Sequence, residues 1–379
     1  MHTANALDRT ATAQRRVTPF MAVALAALLL GMWAGLARIG WHLPAADGAL
    51  MLRHGGLMVV GFIGTVIAVE RAVAVHSLPA FVAPALSAAA GVALIIAAPA
   101  AVAPGLAVAA GIASSLNFAI LLARHRTLPF AVLLAGGVCL TIAAGVWWHG
   151  GGLSPVVPWW MAFLVLTIAA ERLDILRFQR FSTLGLLTGG AALALIVLGP
   201  LVTFADLPIG SRLLGIGIVA GVAWLARRDV ARRTVRTDGV ARFAAVGILT
   251  AYAWLAVAGI LLVAWGLVSS GLRYDAVLHA FFIGFVFGAI IAHEPIIAPA
   301  VTGLRFVYSP LLYLPLVALD GGLVVRVAAD FVDAGEARRW AGLIQVLAIL
   351  LFLTLSAGSI LVGRRRHREG GAGATPNAS

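Results

Sequence analysis

The sequence predicts an all-α, polytopic membrane protein with about twelve transmembrane helices, and three observations predict this fold class. Hydrophobic residues make up 62% of the chain, and its mean hydropathy is +1.02. Charged residues make up only 11%, whereas a typical soluble domain has about 25%. Apolar runs long enough to cross a bilayer, about 20 residues each, follow one another almost without a break. This much apolar surface excludes a single soluble globule.

The apolar runs, taken in order, define the predicted spans, and short connections with arginine, glycine or proline separate them. The predicted spans are 17–38, 48–74, 80–99, 102–123, 128–148, 156–176, 184–205, 211–226, 240–269, 274–300, 309–332 and 338–362. The division between the third and fourth spans and the shortness of the eighth leave the count open there. We further predict a cytoplasmic N-terminal segment over 1–16, one membrane domain over 17–362 and a disordered cytoplasmic tail over 363–379.

The arginines predict the orientation of these helices. All 27 basic residues are arginine, and most lie in the short connections between apolar runs. If the N-terminus is cytoplasmic, 20 of the 27 fall on the cytoplasmic side of the membrane. Because basic connections are retained in the cytoplasm, this split predicts a bacterial inner-membrane protein with both termini inside. The net charge of +12 then reflects topology, and we predict a lipid bilayer, not a nucleic acid, as its partner.

A short pattern, Ile-Ala-x-Glu, recurs near the predicted cytoplasmic ends of three helices. It stands at Ile67–Glu70, Ile168–Glu171 and Ile291–Glu294, on the second, sixth and tenth spans. The recurrence predicts three pseudo-repeated four-helix units at about 17–123, 128–226 and 240–362. Glu70, Glu171 and Glu294 are either helix-end charges that extend to the interface or proton-relay groups. Asp320, predicted near mid-membrane, is a further proton-relay candidate.

Two histidines lie at the same predicted depth. His54 is about one turn into the second span and His279 is about one turn into the tenth, both on the periplasmic side. Imidazoles at equal depth on neighbouring helices are suited to ligating a haem iron from opposite faces. The other interpretation is a pair of interfacial histidines bound to water or carbonyls. Room for a flat macrocycle, or for close helix packing, comes from four glycines of the second span: Gly55, Gly56, Gly61 and Gly64.

Two further histidines are weaker candidates. His149 ends the fifth span after Trp147 and Trp148, and it is either a third metal ligand or part of an interfacial aromatic belt. His293 stands 14 residues after His279, about 21 Å along a helix, so the two cannot share one metal. Beside Glu294, His293 is a candidate for a second metal site or a proton relay. The catalytic residues, if the protein is an enzyme, are not identified by any motif.

The residues of these two helices resemble two related families. The string His54-Gly55-x-x-Met58 resembles the low-spin haem ligand motif of haem-copper oxidase subunit I, a twelve-helix family with cytoplasmic termini. The string His-Ala-Phe-Phe-Ile-Gly-Phe at 279–285, with the chain length, is similar to the NnrS family of bacterial membrane proteins. That family is linked to nitric-oxide stress and is described as containing haem and copper. The resemblance implies haem b held by His54 and His279, with copper as a further candidate.

The departures from the oxidase pattern limit what this resemblance implies. The predicted sixth and seventh spans have no histidine, so a binuclear haem-copper centre and a standard proton-pumping oxidase are not expected. We expect a haem-binding membrane protein for electron transfer or for nitric-oxide or metal handling, acting with a redox partner or other respiratory subunits. Two alternatives remain open: a cofactor-free secondary transporter, and a membrane subunit of a larger respiratory complex.

Overall fold

The computed structural model describes residues 2–150, 152–177, 179, 181–302 and 306–372, and within these ranges the chain forms helices and no strand. A short helical turn, Ala231–Thr234, precedes the ninth long helix. The long helices are α1 (His2–Arg38), α2 (Gly48–Val75), α3 (Pro79–Ile95), α4 (Val102–His125), α5 (Leu128–Trp148), α6 (Val157–Leu176), α7 (Thr183–Val202), α8 (Leu207–Arg228), α9 (Gly239–Trp265), α10 (Leu272–Thr302), α11 (Pro310–Val332) and α12 (Gly335–Ala372).

Ten of these helices are long and apolar enough to cross a membrane, which confirms the prediction of a multi-pass membrane protein. The other two are α3, which is shorter, and α6, which carries Glu171, Arg172 and Asp174 near its end. Residues on every side of α6 are buried, including Trp159 and Trp160 at 1% and 2% exposure. A helix buried all round lies inside a bundle, so α6 is a central helix of this fold.

The ends of some helices differ from their predicted positions because of local capping. The predicted eighth span, 211–226, is observed as Leu207–Arg228. It begins earlier because the Asp206 carboxylate accepts a 2.7 Å hydrogen bond from the Ile209 amide, and Pro208 suits the first turn. The predicted third span, 80–99, ends at Ile95, shortly before Ala97 takes a left-handed conformation with φ of 54°. Residues 373–379 of the predicted tail lie outside the described residues, and its disorder stays a prediction.

Two helices depart from α-helical geometry in matching places. α2 contains an eight-residue π-helical segment, Leu57–Gly64, and α10 contains another, Ala280–Phe287. The two segments are in contact, because the rings of Phe62 and Phe287 stack with their centroids 5.7 Å apart. π-Helical turns are rare and often occur at functional sites. The segments therefore direct attention to the contact between α2 and α10.

Glycines allow some helices to pack closely. A Cβ atom at Gly91 in α3 would lie 3.0 Å from the Cα atom of Gly61 in α2. A Cβ atom at Gly61 would lie 2.8 Å from the Cβ atom of Ala27 in α1. Glycines at such crossings let helix backbones approach each other in a bilayer. The first three helices thus meet around Gly61.

We expect Gly91→Leu to destabilise the fold, since the added side chain would separate α2 from α3. Overpacking of this kind lowers the free energy of unfolding by about 1–3 kcal/mol. Thermal unfolding of the detergent-purified protein, followed by circular dichroism, measures the change. Gly105→Leu in α4 is the matched control, because a Cβ atom at Gly105 meets nothing within 4 Å. Equal unfolding temperatures for the two variants would contradict the proposed close contact.

Candidate functional site

A cavity of about 280 Å³ lies among α1, α2, α6, α10, α11 and α12. His54 of α2 and His279 of α10 both line it. Its apolar wall includes the side chains of Met58, Trp160 and Phe282. The structure therefore brings together the two histidines that the sequence singled out, at the N-terminal ends of their helices and beside the contact between the π-helical segments.

A backbone carbonyl holds the His54 imidazole in one orientation. Its Nδ1 atom lies 2.7 Å from the carbonyl oxygen of Gly31 in α1. A carbonyl only accepts hydrogen bonds, so Nδ1 carries the proton and Nε2 keeps its lone pair. Gly35 makes room for the ring, because a Cβ atom there would lie 2.9 Å from Cε1 of His54. α1 thus positions a candidate ligand that belongs to α2.

The His279 imidazole is held in the same way by its own helix. Its Nδ1 atom lies 2.9 Å from the carbonyl oxygen of Asp275 and 3.3 Å from the Asp275 carboxylate. The Nδ1 atom therefore donates here too, and Nε2 keeps a lone pair. Imidazoles that ligate a metal generally donate their other N–H to a carbonyl or carboxylate, which fixes the ring and its tautomer. Both His54 and His279 meet this condition.

Arginines form one part of the cavity wall. Arg38, Arg326 and Arg338 all line it. Arg326 donates two hydrogen bonds to the Asp275 carboxylate, at 2.8 and 2.9 Å, and a third to Gln345 at 3.1 Å. Asp275 thus has two contacts: its carboxylate binds the Arg326 guanidinium, and its backbone carbonyl accepts the hydrogen bond from His279. Around this pair the cavity is cationic, whereas the wall beside Met58 and Phe282 is apolar.

The residues that line this cavity are of the kinds that could hold a haem. Among the described residues there is no group of three or more His, Cys, Asp or Glu side chains that could hold a metal. Two imidazoles suit an iron whose other ligands belong to a macrocycle. An apolar wall suits the macrocycle, and arginines suit its carboxylates. The cavity volume of about 280 Å³ lies just below the usual range for ligand pockets, roughly 300–1,000 Å³.

The four glycines of α2 have different roles. Gly55 lines the cavity, where a Cβ atom would lie 2.9 Å from Leu153. Gly56 packs against Leu94 and Trp147, and Gly61 packs against α1 and α3. A Cβ atom at Gly64 would lie 3.2 Å from Oγ of Ser87 in α3. Two purposes were predicted for these glycines, close helix packing and room for a ligand. Gly56, Gly61 and Gly64 fit the first, and Gly55 fits the second.

The other two candidate histidines lie away from this cavity. His149 is exposed at the C-terminal end of α5 and is not among the residues that line the cavity. His293 lies toward the other end of α10, where its Nε2 atom is 3.2 Å from a guanidinium nitrogen of Arg172. A guanidinium only donates, so the Nε2 lone pair of His293 is already engaged and is not free for a metal.

The recurring Ile-Ala-x-Glu motifs meet at the end of the bundle opposite His54 and His279. Arg71 pairs with Glu171 of α6 and lies 3.3 Å from Glu70. These three side chains are partly exposed, between 13% and 25%. The first and second motifs therefore share one guanidinium. The interpretation of Glu70 and Glu171 as helix-end charges stays a prediction, and the structure adds a contact between their two helices through Arg71.

Next to this group lies a buried ion pair that the sequence did not reveal. Arg172 donates hydrogen bonds of 2.8 and 2.6 Å to the two carboxylate oxygens of Asp229, which is 3% exposed. Tyr252 donates a third, at 2.6 Å. Burial would raise the pKa of Asp229, but the hydrogen bonds and charge of Arg172 outweigh it and hold the pKa below its usual range. Asp229 is therefore ionised at neutral pH.

The remaining proton-relay candidates have separate partners. Glu294 of α10 accepts a 3.3 Å hydrogen bond from Ser356 of α12. Asp320 of α11 accepts a 3.0 Å hydrogen bond from the indole N–H of Trp254 in α9. His293 and Glu294 are adjacent in sequence, but His293 contacts Arg172 of α6 whereas Glu294 bonds to α12. Asp320 has neither of these partners. The described hydrogen bonds do not join the four carboxyl groups into one chain.

A protein-family profile matches residues 16–361 of the chain, which include every predicted span but the final residue. The family is described as a domain of unknown function, DUF8744. No curated protein matches the chain.

We expect Asp229→Asn to destabilise the protein strongly, since it leaves the Arg172 charge buried without its carboxylate. Breaking a buried pair in this way costs about 3–5 kcal/mol. Chemical unfolding in detergent, followed by intrinsic tryptophan fluorescence, measures the loss. Glu336→Gln is the control, because the Glu336–Arg339 pair is exposed, with Glu336 at 74%. A loss no larger for Asp229→Asn than for the control would contradict the role given to this pair.

Proposed function

The chain belongs to the DUF8744 family, and we propose from its geometry that it is a haem-binding inner-membrane protein. Its role is electron transfer, or the handling of nitric oxide or a metal. One observation carries the proposal: His54 and His279 line one cavity. In each imidazole the Nδ1–H group donates a hydrogen bond to a backbone carbonyl, and the Nε2 atom keeps the lone pair that could bind iron. Imidazoles that ligate a metal generally have such fixed tautomers, and two of them can ligate one haem iron.

The residues that would ligate the iron and pack on the macrocycle come from three helices: α2, α6 and α10. His54 and His279 would ligate the iron, and Met58, Trp160 and Phe282 would pack on the macrocycle. A haem held by both imidazoles would supply one-electron chemistry, and it would bind a diatomic gas only if one imidazole left the iron. Haem b is the type that we propose, since it needs no covalent link and the one cysteine, Cys139, is buried in α5. Copper remains a further candidate for the two imidazoles.

The arginines of the cavity wall would bind the carboxylates of the haem. Guanidinium groups bind carboxylates through parallel hydrogen bonds, and Arg38, Arg326 and Arg338 are the candidates. Arg326 is already paired with Asp275, and Arg338 lies 3.6 Å from the Asp330 carboxylate. Arg38, which donates a hydrogen bond to the Met51 carbonyl, is therefore the more available cation. Asp275 would be a positioning residue: it holds His279 through its carbonyl and keeps Arg326 in place.

We propose a complete topology of twelve crossings, in which α3 and α6 join the ten helices that meet the length and apolarity requirements. The distribution of arginines supports cytoplasmic termini and a location in a bacterial inner membrane. In this topology the haem site lies near the periplasmic face, and Arg71, Glu171 and Arg172 lie near the cytoplasmic face. A periplasmic redox partner or another respiratory subunit would then exchange electrons with the site.

The carboxyl groups near the cytoplasmic ends of α2 and α6 would exchange protons with the cytoplasm. Glu70 and Glu171 are suited to this because they share Arg71 and are partly exposed. Glu294 bonds to Ser356 of α12 and Asp320 bonds to Trp254 of α9. Each would therefore exchange protons independently of the Arg71 group. No continuous route to the haem site is proposed, and a proton-pumping oxidase is not the proposed function.

We expect the detergent-purified protein to show a Soret band, and we expect His54→Ala and His279→Ala each to retain less than about a tenth of the wild-type haem. Absorbance spectroscopy and metal analysis of the same samples measure retention and identify the metal. His149→Ala is the matched control and keeps the band, because His149 is exposed and away from the cavity.

Two outcomes would overturn this proposal. Wild-type protein without a Soret band or bound metal would exclude a haem or copper site and favour a cofactor-free transporter. A full band in the His54→Ala, His279→Ala double variant would show that a haem binds elsewhere in the protein.

We expect single cysteines on opposite sides of the membrane to react differently with a membrane-impermeant maleimide. Glu336→Cys is labelled from outside, whereas Asp238→Cys is labelled only after permeabilisation, because the proposed topology places them on the periplasmic and cytoplasmic sides. Both positions are exposed. The native Cys139 is 2% exposed and serves as the background. The reverse labelling pattern would show that the orientation is inverted.

A further inference from the structure

A second cavity, of about 340 Å³, lies among α6, α7, α8 and α9 and is separate from the candidate haem site. Its lining is almost wholly apolar and includes Val165, Leu173, Ile196 and Ile218. The polar side chain of Tyr252 also lines it, but the Tyr252 hydroxyl is already bonded to Asp229. The cavity therefore offers apolar contact and few free hydrogen-bonding groups.

The cavity is elongated along the helices. On α7 its lining runs from Leu186 to Ile196, about 15 Å at the rise of an α-helix. On α8 it runs from Ile218 to Leu225, about 10 Å. A long, narrow, apolar space suits a linear hydrocarbon chain better than a compact ligand.

The backbones of α7 and α8 are in close contact at one end, whereas at the other end α8 reaches α7 through side chains, such as Trp224 beside Gly189. A Cβ atom at Gly199 would lie 2.5 Å from the Leu214 amide nitrogen, and one at Gly217 would lie 2.8 Å from that of Ile196. At the other end, a Cβ atom at Gly190 meets nothing within 4 Å. Gly190 and Gly221 line the cavity from α7 and α8 respectively. These two glycines keep it open.

The cavity opens toward the outer surface of the bundle, where lipid surrounds the protein. Two of its lining residues, Leu128 and Leu186, are 56% and 54% exposed. α7 is also the least buried of the ten spans, at 28%. An acyl chain could therefore enter from the bilayer without any helix having to separate from the bundle.

Positive charge lies at one end of the cavity. Trp224 lines this end, and its indole N–H donates a 2.7 Å hydrogen bond to the Gly185 carbonyl. The Arg228 guanidinium lies over the Trp224 ring, 4.6 Å from its centroid. Arg228 belongs to a group of four arginines in the adjoining sequence: Arg227, Arg228, Arg232 and Arg233. Guanidinium groups bind phosphate, and basic pockets between membrane helices bind anionic headgroups.

We propose that this cavity binds an anionic phospholipid, with one acyl chain along α7 and α8 and the headgroup phosphate on Arg228. A peptide segment fits less well, because its backbone N–H and C=O groups would find few partners among the described lining residues. A zwitterionic lipid would fill the same space but would gain less from the arginines. The charge at one end therefore selects the headgroup, and the apolar length holds the chain.

Native mass spectrometry of the full chain in detergent tests the proposal, with phosphatidylglycerol and phosphatidylcholine of identical acyl chains added in equal amounts. The wild-type protein retains phosphatidylglycerol with about a tenfold preference, the factor that roughly 1.4 kcal/mol corresponds to. Gly190→Leu fills the cavity and loses the bound lipid. Arg228→Gln keeps lipid binding but loses the preference. Gly105→Leu, the matched control outside the cavity, behaves like the wild type.

A second variant keeps the proposal testable if Gly190→Leu does not fold. Gly221→Leu narrows the cavity from α8, because a Cβ atom at Gly221 would lie 3.6 Å from Cδ1 of Ile196. Like Gly190→Leu, this variant is expected to lose the bound lipid. The proposal is overturned if the wild type retains both lipids equally, or neither. It is also overturned if a folded Gly190→Leu or Gly221→Leu protein retains lipid like the wild type, or if Arg228→Gln keeps the full preference.

Discussion

Pairing of charge across helices is the constraint on which this structure depends. A charged side chain inside a bilayer is costly unless an opposite charge or several hydrogen bonds compensate it. Asp275 and Arg326 join α10 to α11, Arg71 and Glu171 join α2 to α6, and Arg172 and Asp229 join α6 to the segment after α8. Each pair holds two segments in one relative position, and the Asp275–Arg326 pair also forms part of the wall of the cavity that holds His54 and His279.

The positions of most helices could be predicted from the sequence, because each apolar run is close to the length of a span. The spans 102–123 and 128–148 agree with Val102–His125 and Leu128–Trp148 to within two residues. The start of α8 was missed because apolarity does not register a cap such as Asp206. The π-helical segments were missed for a related reason: hydropathy does not record which carbonyl an amide bonds to.

Part of the candidate site could be predicted as well. His54 and His279 share a cavity wall, as expected once the distribution of arginines had given the two helices the same direction. The partner of His54 could not be predicted, since the Gly31 carbonyl lies on another helix and belongs to a residue with no side chain. Asp229 was also missed: its partner Arg172 is 57 residues away, and it stands among arginines that were interpreted only as signals of topology.

α2 and α10 resemble each other more than either resembles α6, whereas a threefold repeat predicts that all three helices are equally alike. Each helix has a histidine near its start, then an eight-residue π-helical segment, then Ile-Ala-x-Glu. α6 has only the last of these and places Trp160 on the cavity wall. Because α2 and α10 line one cavity and contact each other through Phe62 and Phe287, the same requirement acts on both: an imidazole at one end and a charge at the other. That shared requirement accounts for their similarity without three four-helix units, which stay a prediction.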